Sequence, residues 1–278
     1  MSKIRATAWI RDGVLVERMH VNPCAFALSY LSLGEKLSGL PLKASSLTDL
    51  VQFAFDTSGL SCSDKGLAYA RQKQIDLSEQ SLLKLTETYN DIAARAALSC
   101  RYFPGAASLL QKLSQGGCKN FITSAVSQPA LDRWLETDLA KEISPYLFEV
   151  LGERTQMKKG EGHFRHIADI VKGEPIYYIA DAPLEIAQAL PFHMSLGVET
   201  IGFANQIDNV KVQEGFQLAL AAALKSNLEP DFFSVMKDLK PAQINLPDAR
   251  QSLQKAGAHH IVNAPADDIF AQLNALLS

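Results

Sequence analysis

This chain has carboxylate, hydroxyl and ammonium side chains at positions where they could bind an anion or a metal ion. Asp12, Thr123 and Asp181 each stand at or just after the end of an apolar, strand-like run, and Lys159 lies in a polar loop. Hydroxyl and ammonium groups donate hydrogen bonds to phosphate or carboxylate oxygens, and carboxylates are the ligands that Mg²⁺ prefers. Residues of these types can therefore hold a phosphate, a carboxylate or a metal ion.

Position 10 departs from this polar pattern. Ile10 lies two residues before Asp12, within the stretch WIRDGVL at residues 9–15. An isoleucine has no lone pair with which to attack phosphorus and no oxygen with which to bind a metal. Position 10 therefore supplies neither a nucleophile nor a metal ligand.

The stretch at residues 9–15 resembles the opening motif of the haloacid dehalogenase (HAD) superfamily, hhhDxDG(T/V)L. In that family the first Asp is the covalent nucleophile and the second is the general acid/base. Aligned through Asp12, the nucleophile position holds Ile10. The resemblance therefore implies a phosphatase fold in which Asp12 keeps the acid/base position and the standard nucleophile is lost.

Two later stretches resemble the phosphate-binding motifs of the family, and the resemblance covers nearly the whole chain. Thr123, followed by Ser124, stands where the family has a Thr or Ser after an apolar strand. Lys159 matches the lysine motif with glycines in place of prolines, and Lys158 is a second candidate. By this resemblance Thr123, Ser124 and Lys159 bind the phosphate.

The last motif of the family carries metal-binding acids. Asp181 and Glu185 match it, with Ala180 in place of the usual glycine. By resemblance Mg²⁺ is held by the first Asp, the backbone carbonyl of Asp12 and Asp181, and Glu185 reaches it through water. Because Ile10 removes one of these ligands, Mg²⁺ remains a candidate cofactor with weakened affinity.

Each of these residues also has an ordinary structural interpretation. Asp12 suits a turn after a strand, and Asp181 suits an N-cap ahead of a proline. Thr123 suits a cap of the following helix, and Lys158 with Lys159 suits a solvated pair in a polar loop.

Of two histidine pairs in the sequence, one has a spacing that suits metal binding. His163 and His166 lie three apart on a predicted helix and face one way, but no third ligand stands near them in sequence. Neighbouring His259 and His260 lie in a predicted strand, so they point to opposite faces and do not chelate together.

The elements that must position these groups alternate along the second half of the chain. The patterns predict strands at 3–10, 120–123, 147–151, 176–180, 200–204 and 261–262, with helices at 107–114, 128–139, 162–171, 184–189, 249–256 and 266–277. Alternating strands and helices predict a Rossmann-like parallel sheet covered on both faces, an α/β fold.

Residues 18–100 interrupt this alternation, since their patterns predict helices at 22–37, 48–55 and 77–99 and no clear strand. The sequence therefore predicts a core of residues 1–17 and 101–278 with an inserted helical domain, which the resemblance implies is a C1-type cap. Residues 205–248 form an extra insertion with helices at 210–224 and 231–239, interpreted as a lid, an oligomer contact or a surface ornament.

Composition limits the possible partners. Of 278 residues, 47% are hydrophobic and 21% charged, and the net charge is −3. We expect no nucleic-acid or anionic-membrane partner, because no strong basic field is present. No apolar run reaches the ~20 residues of a membrane span, and no signal peptide is visible. Four cysteines without CxxC spacing suit reduced thiols in a cytoplasmic protein.

Three functional interpretations remain open. The first is a non-catalytic or strongly impaired phosphatase homologue, a pseudoenzyme that binds a phosphorylated or carboxylated small molecule or a protein partner. The second is a Mg²⁺-dependent hydrolase in which Asp12 acts as a general base on water. The third is a structural or assembly protein that uses residues 205–248 as an interface, including contacts within a homo-oligomer.

Overall fold

A computed structural model describes residues 6–34, 38–226, 230–263 and 266–277. The chain divides into two units. An α/β unit comprises Met1–Glu17, Arg101–Gln206 and Pro247–Ser278, and a helical unit comprises Arg18–Cys100 and Ile207–Leu246. The chain therefore leaves the α/β unit twice, after residue 17 and after residue 206, and each excursion contributes to the helical unit.

A single parallel sheet organises the α/β unit. Its strands are β1 (Ala6–Ile10), β2 (Lys119–Ser127), β3 (Glu149–Glu153), β4 (Ile176–Ala180), β5 (Val198–Phe203) and β6 (His260–Val262). Their order across the sheet is β3-β2-β1-β4-β5-β6, and every neighbouring pair runs parallel. The predicted α/β class with a Rossmann-like parallel sheet is confirmed.

Helices account for most of the remaining regular structure. Numbered along the chain, they are α1 (Val21–Leu31), α2 (Ala44–Asp56), α3 (Cys62–Lys73), α4 (Glu79–Ala97), α5 (Ala106–Gln115), α6 (Gln128–Leu135), α7 (Asp138–Ile143), α8 (Glu161–Val171), α9 (Pro183–Ala189), α10 (His193–Leu196), α11 (Asn209–Leu224), α12 (Pro230–Val235), α13 (Ala249–Lys255) and α14 (Ala266–Leu277). Among the described residues, none of these helices is long and apolar enough to cross a bilayer.

A polar residue inside β1 interrupts its apolar pattern, and the structure shows how it is accommodated. Thr7 is fully buried, and its hydroxyl donates to Asn120 Oδ1 at 2.7 Å and accepts from Trp9 Nε1 at 2.7 Å. The Asn120 amide nitrogen in turn donates to the carbonyls of Leu110 and Tyr146. Because each buried group has a partner, the central strand tolerates these polar side chains.

Three helix predictions differ from the structure. The predicted helix at 128–139 is two helices, α6 and α7, because the Thr137 hydroxyl accepts from the Ala140 N–H and starts a new helix. The predicted helix at 22–37 ends at Leu31, and its residues 35–37 lie outside the described residues. Helix α3 was not predicted, because its sequence carries few apolar residues; Ser61 caps its start by accepting from the Asp64 N–H.

The helical unit contains helices α1 to α4 together with α11 and α12. Helix α1 is buried on almost every side. Helix α11 packs directly against His20, the residue that precedes α1. A β-carbon built on Gly215 would lie 2.2 Å from the His20 carbonyl oxygen, so only a glycine permits this approach. Residues 207–246, treated above as an insertion into the α/β domain, thus pack as part of the helical unit.

Candidate active site

Ile10 ends β1 at the carboxyl edge of the sheet. Its backbone is in register with Thr123 on β2, and the preceding Trp9 is in register with Ile179 on β4. The Ile10 side chain is only 6% exposed and belongs to the hydrophobic core of the α/β unit. The position that the sequence singled out is therefore filled by packed aliphatic carbon, on the strand that lies between β2, which carries Thr123, and β4, which leads to Asp181.

The turn after β1 is pressed against the end of β4. Gly13 has φ +95°, and its N–H donates to the Val16 carbonyl at 2.8 Å. A β-carbon at Gly13 would lie 2.0 Å from Asp181 Oδ2. Glycine is required here for two independent reasons, the left-handed backbone and the close approach of the Asp181 carboxyl.

Asp12 is held by its neighbour. The Arg11 guanidinium donates to both carboxylate oxygens of Asp12, with Nε–Oδ1 at 2.8 Å and Nη2–Oδ2 at 2.9 Å. The guanidinium also lies over the Trp134 ring of α6, 5.0 Å from its centroid. This forked pair engages the carboxylate that the resemblance implies as acid/base. No motif in the sequence marks Arg11 or Trp134 as part of the site.

The hydroxyls predicted to bind phosphate lie at the end of the regular part of β2. Thr123 Oγ1 is buried and makes no hydrogen bond of normal geometry with any described residue. Ser124 Oγ accepts from the Val126 N–H at 3.2 Å. The N-cap of α6 is Ser127, so Thr123 does not cap that helix. Thr123 therefore brings a buried hydroxyl to the same edge as Ile10.

Lys159 reaches the same edge from the loop before α8. Its ammonium forms an ion pair with Glu185 Oε1 in the first turn of α9, and the two side chains are 13% and 5% exposed. The second oxygen of Glu185 is buried without a hydrogen-bond partner among the described residues. Lys158 pairs instead with Glu153 at 3.3 Å and is largely exposed, so of the two lysines only Lys159 is drawn inward.

Asp181 follows β4 and is almost fully buried. Burial raises the pKa of the Asp181 carboxyl well above its usual value, the negative charge of Glu185 adds to this, and Lys159 opposes it. The N-cap of α9 is Ala182, whose side chain makes no capping hydrogen bond, so Asp181 does not serve as that cap. The carboxyl therefore lies buried at the carboxyl edge of the sheet, in surroundings that disfavour its charged form.

Tyr178 is a residue that the sequence analysis missed. It stands on β4 in register with Ala8, and its ring packs edge-on against Phe164 of α8 at 5.0 Å. Burial raises the pKa of Tyr178 well above its usual value; the charges of Glu185 and Asp181 add to this, while Thr123 acts in the opposite direction. The phenol thus belongs to the same buried polar group. The sequence offers only one sign of this position: the alternation of side chains along a strand places residue 178 on the same face of β4 as residue 180, which immediately precedes Asp181.

The acids at this edge do not fit a magnesium site of the kind that the resemblance implies. Glu185 is engaged by Lys159, and the position of the third carboxylate holds Ile10. Mg²⁺ requires several hard oxygen ligands in octahedral geometry. Within the described parts of the chain, no three His, Cys, Asp or Glu side chains are grouped so that they could hold a metal ion.

The histidines of α8 are occupied separately. His163 is fully buried and its Nε2 bonds to the Gly152 carbonyl at 3.2 Å, whereas His166 Nε2 bonds to Glu149 Oε2 at 2.8 Å. Burial lowers the pKa of His163 to about 4, so its ring is neutral at physiological pH. Different partners hold the two rings, which leaves no support for a shared metal ion.

Solved structures with a similar fold are described as hydrolases or phosphatases. A hydrolase from Pseudomonas syringae is 14% identical, with a TM-score of 0.62 over 99% of this chain and 100% of that one. A protein of Clostridium acetobutylicum described as a predicted phosphatase is 16% identical, with a TM-score of 0.57 over 98% of this chain and 99% of that one. A Bacteroides fragilis protein described as a haloacid dehalogenase-like hydrolase is 16% identical, with a TM-score of 0.53 over 76% and 93%.

No protein-family model matches this chain, and no curated protein matches it either. At these identities the likeness concerns the fold alone. The chain has the Rossmann-type fold of HAD-like hydrolases.

Proposed function

We propose that this chain is a HAD-fold protein that binds a phosphorylated or carboxylated small molecule at the carboxyl edge of its sheet without hydrolysing it. The observation that carries the proposal is the packed Ile10 side chain at the end of β1, beside Thr123. A covalent route to phosphate-ester hydrolysis needs a nucleophilic oxygen at that point, and a buried aliphatic side chain supplies none.

The surrounding groups do not compensate for this loss. Asp12 is engaged by both nitrogens of the Arg11 fork, which lowers its availability as a base for attacking water. The acids do not fit a magnesium ion, so charge on a phosphoryl group would lack its usual neutralisation. Each ~1.4 kcal/mol of lost transition-state stabilisation slows a reaction tenfold, and both losses fall on the same step.

Donors for an oxyanion are nevertheless retained. The Lys159 ammonium is the more accessible partner of the Lys159–Glu185 pair. Thr123 and Ser124, adjacent in sequence, each supply a hydroxyl. A phosphate or carboxylate that approaches Lys159 competes with Glu185 for the same ammonium. We therefore infer a binding site of moderate affinity, in which the anion draws Lys159 away from Glu185.

The test compares the wild type with Ile10→Asp and with Ile10→Val on an aryl phosphate, with and without Mg²⁺. We expect the wild type and Ile10→Val to be inert, since neither side chain has a nucleophile. Hydrolysis by Ile10→Asp would show that only the nucleophile is missing. Turnover by the wild type that Asp12→Asn abolishes would overturn the proposal and favour water attack with Asp12 as general base.

Binding is measured separately with inorganic phosphate. A ligand that binds only the folded state raises thermal stability by mass action. We expect phosphate to raise the melting temperature of the wild type and to leave that of Lys159→Met unchanged. If phosphate and simple carboxylates stabilise neither protein, the pocket is vestigial and an assembly role becomes the better interpretation.

A further inference from the structure

A histidine side chain ties the last strand of the sheet to its neighbour. The ladder between β5 and β6 begins with Ile201 opposite His260, so Thr200 lies just before it. Thr200 is fully buried, and a buried backbone N–H needs an acceptor. Its acceptor is Nδ1 of His259, at 2.9 Å. An imidazole therefore takes the place of a strand carbonyl at this point.

Thr200 and His259 bind each other reciprocally. The Thr200 hydroxyl lies 2.9 Å from His259 Nδ1, and the same oxygen accepts from the His259 N–H at 3.1 Å. These three contacts between Thr200 and His259 are here called the clasp. Because a backbone N–H can only donate, Nδ1 of His259 is the unprotonated nitrogen, and the hydrogen-bond network assigns the proton of the neutral ring to Nε2.

A proton on Nδ1 removes the acceptor of the Thr200 N–H. The Thr200 hydroxyl can rotate from donor to acceptor and so adapt to a charged ring. The backbone N–H has no such freedom, and it would face a second N–H at hydrogen-bonding distance. A buried donor that loses its acceptor destabilises the folded state. The clasp therefore favours the neutral form of His259 over the charged form.

A second imidazole lies against the first. The His193 ring of α10 packs on the His259 ring, with their centroids 4.4 Å apart. His193 Nδ1 bonds to the Val198 carbonyl at 3.1 Å. Because a carbonyl can only accept, this nitrogen keeps its proton and His193 gains charge only at Nε2. A positive charge on either ring opposes a positive charge on the other.

Three titratable groups act on His259, and they belong to the elements around it. Burial lowers the pKa of His259, and His193 of α10 and His260 of β6 act in the same direction, whereas Glu199 of β5 raises it. Glu199 Oε2 also lies 3.6 Å from His260 Nε2, so its charge is shared between two rings. His259 is therefore neutral in the folded protein at pH 7, and it takes up a proton below its ordinary value of 6.5.

We propose that the clasp is a proton-sensitive latch, which holds β6 against β5 while His259 is neutral and loosens when the ring is charged. Two observations support it, the N–H donor that faces Nδ1 and the imidazole packed on the same ring. Strand β6 has three residues and lies at the edge of the sheet, so one lost contact matters more there than in a central strand. The latch involves no residue of the candidate active site and does not rest on the proposed function.

The test follows His259 and the Thr200 amide in one NMR titration between pH 7.5 and 4.5. The ring signals of His259 report its protonation, and hydrogen exchange reports the protection of the Thr200 N–H. One proton taken up on opening changes the opening equilibrium by at most about tenfold per pH unit. We expect the protection factor of Thr200 to fall by several-fold to tenfold per unit as His259 titrates. The Phe121 amide of β2 is the internal reference for global unfolding and should change less.

Three variants of the rings separate the effects. His259→Asn keeps a side-chain oxygen as acceptor and has no titrating ring, so the protection of Thr200 should persist and lose its dependence on pH. His259→Ala removes the acceptor and should lower the protection at every pH. His193→Gln keeps a donor for the Val198 carbonyl and removes the neighbouring charge, so it should raise the pKa of His259. His166→Gln, a change on another helix, is the matched control and should alter none of these quantities.

Circular dichroism establishes that each variant is folded at each pH, and the wild type with His259→Asn decides the question if His259→Ala unfolds. Constant protection of Thr200 while the His259 ring titrates would overturn the proposal, because the charged ring would then leave the strand in place. A His259 ring that stays neutral down to pH 4.5 would overturn it as well. So would a pH dependence that survives in His259→Asn, since another group would then control the edge strand.

Discussion

Lys159 and Glu185 form a buried ion pair at the carboxyl edge of the sheet, so the ammonium predicted to bind phosphate already has a counter-ion. This ion pair affects the affinity of the site for an anion. A ligand binds there in exchange for an internal contact, and the Glu185 carboxylate opposes it by repulsion.

Removing the carboxylate should therefore strengthen anion binding. In Glu185→Gln the Lys159 charge has no ion-pair partner of this strength, and we expect the dissociation constant for inorganic phosphate to fall several-fold. The variant should also lose folding stability, because breaking a buried pair leaves one charge uncompensated. Isothermal titration calorimetry measures the affinity.

Glu174→Gln is the matched control for this variant, since it removes an exposed carboxylate of the same unit. It should change neither the affinity nor the stability by a comparable amount. Unchanged or weaker phosphate binding by Glu185→Gln would show that Lys159 is not the anion's partner.

The turn after β1 should be intolerant of any side chain. Gly13→Ala combines a positive φ with a β-carbon 2.0 Å from Asp181 Oδ2. Backbone strain and overpacking together should lower the free energy of unfolding by roughly 2–5 kcal/mol, measured by denaturant titration. Gly117→Ala separates the two terms, because Gly117 also has a positive φ but nothing within 4 Å of its β-carbon. Equal losses in the two variants would contradict the close approach of Asp181.

Acid should destabilise the α/β unit through His163. Burial lowers the pKa of His163 from its ordinary value of 6.5 to about 4. Below pH 6.5 His163 binds a proton in the unfolded chain but stays neutral in the folded protein. The contribution of His163 to the free energy of unfolding is therefore greatest above that pH. It falls as the pH drops toward about 4, with a limiting slope of ~1.4 kcal/mol per pH unit from this group.

Unfolding titrations at several pH values between 7.5 and 4.5 measure this slope. His163→Gln keeps a donor for the Gly152 carbonyl and has no titrating ring, so its stability should fall less steeply in the same window. His166→Gln, which alters the ring bonded to Glu149, is the comparison. An identical slope in wild type and His163→Gln would assign the acid sensitivity to other groups.

The packing of helix α11 should require Gly215, although glycine is normally unfavourable inside a helix. Replacing a helical glycine by alanine normally stabilises a helix by about 1 kcal/mol. Gly215→Ala should instead destabilise the protein by roughly 1–3 kcal/mol, because its β-carbon would lie 2.2 Å from the His20 carbonyl oxygen. Gly66→Ala should cost less, since its nearest neighbour is the movable end of the Leu85 side chain. A stabilised Gly215→Ala, judged by melting temperature, would contradict this packing.

Local sequence patterns were sufficient for the architecture of the α/β unit. Alternating apolar strands and helices predict the parallel sheet, because the period of each element depends on neighbours in sequence. The same patterns missed α3, whose few apolar residues give a weak signal, and merged α6 with α7, where one threonine cap restarts the helix. These errors lie where a single hydrogen bond outweighs the pattern.

The sequence by itself determined that position 10 is an isoleucine and that Asp12, Thr123, Lys159, Asp181 and Glu185 follow their strands in the stated order. Tertiary structure alone decided how these groups are paired. It paired Glu185 with Lys159 and brought Arg11 into contact with both Asp12 and the Trp134 ring. It also placed the Tyr178 phenol near Glu185 and Asp181. It also joined residues 207–246 to the helical unit. Pairing and burial depend on which distant segments pack together, and no local pattern of residue types encodes those distances.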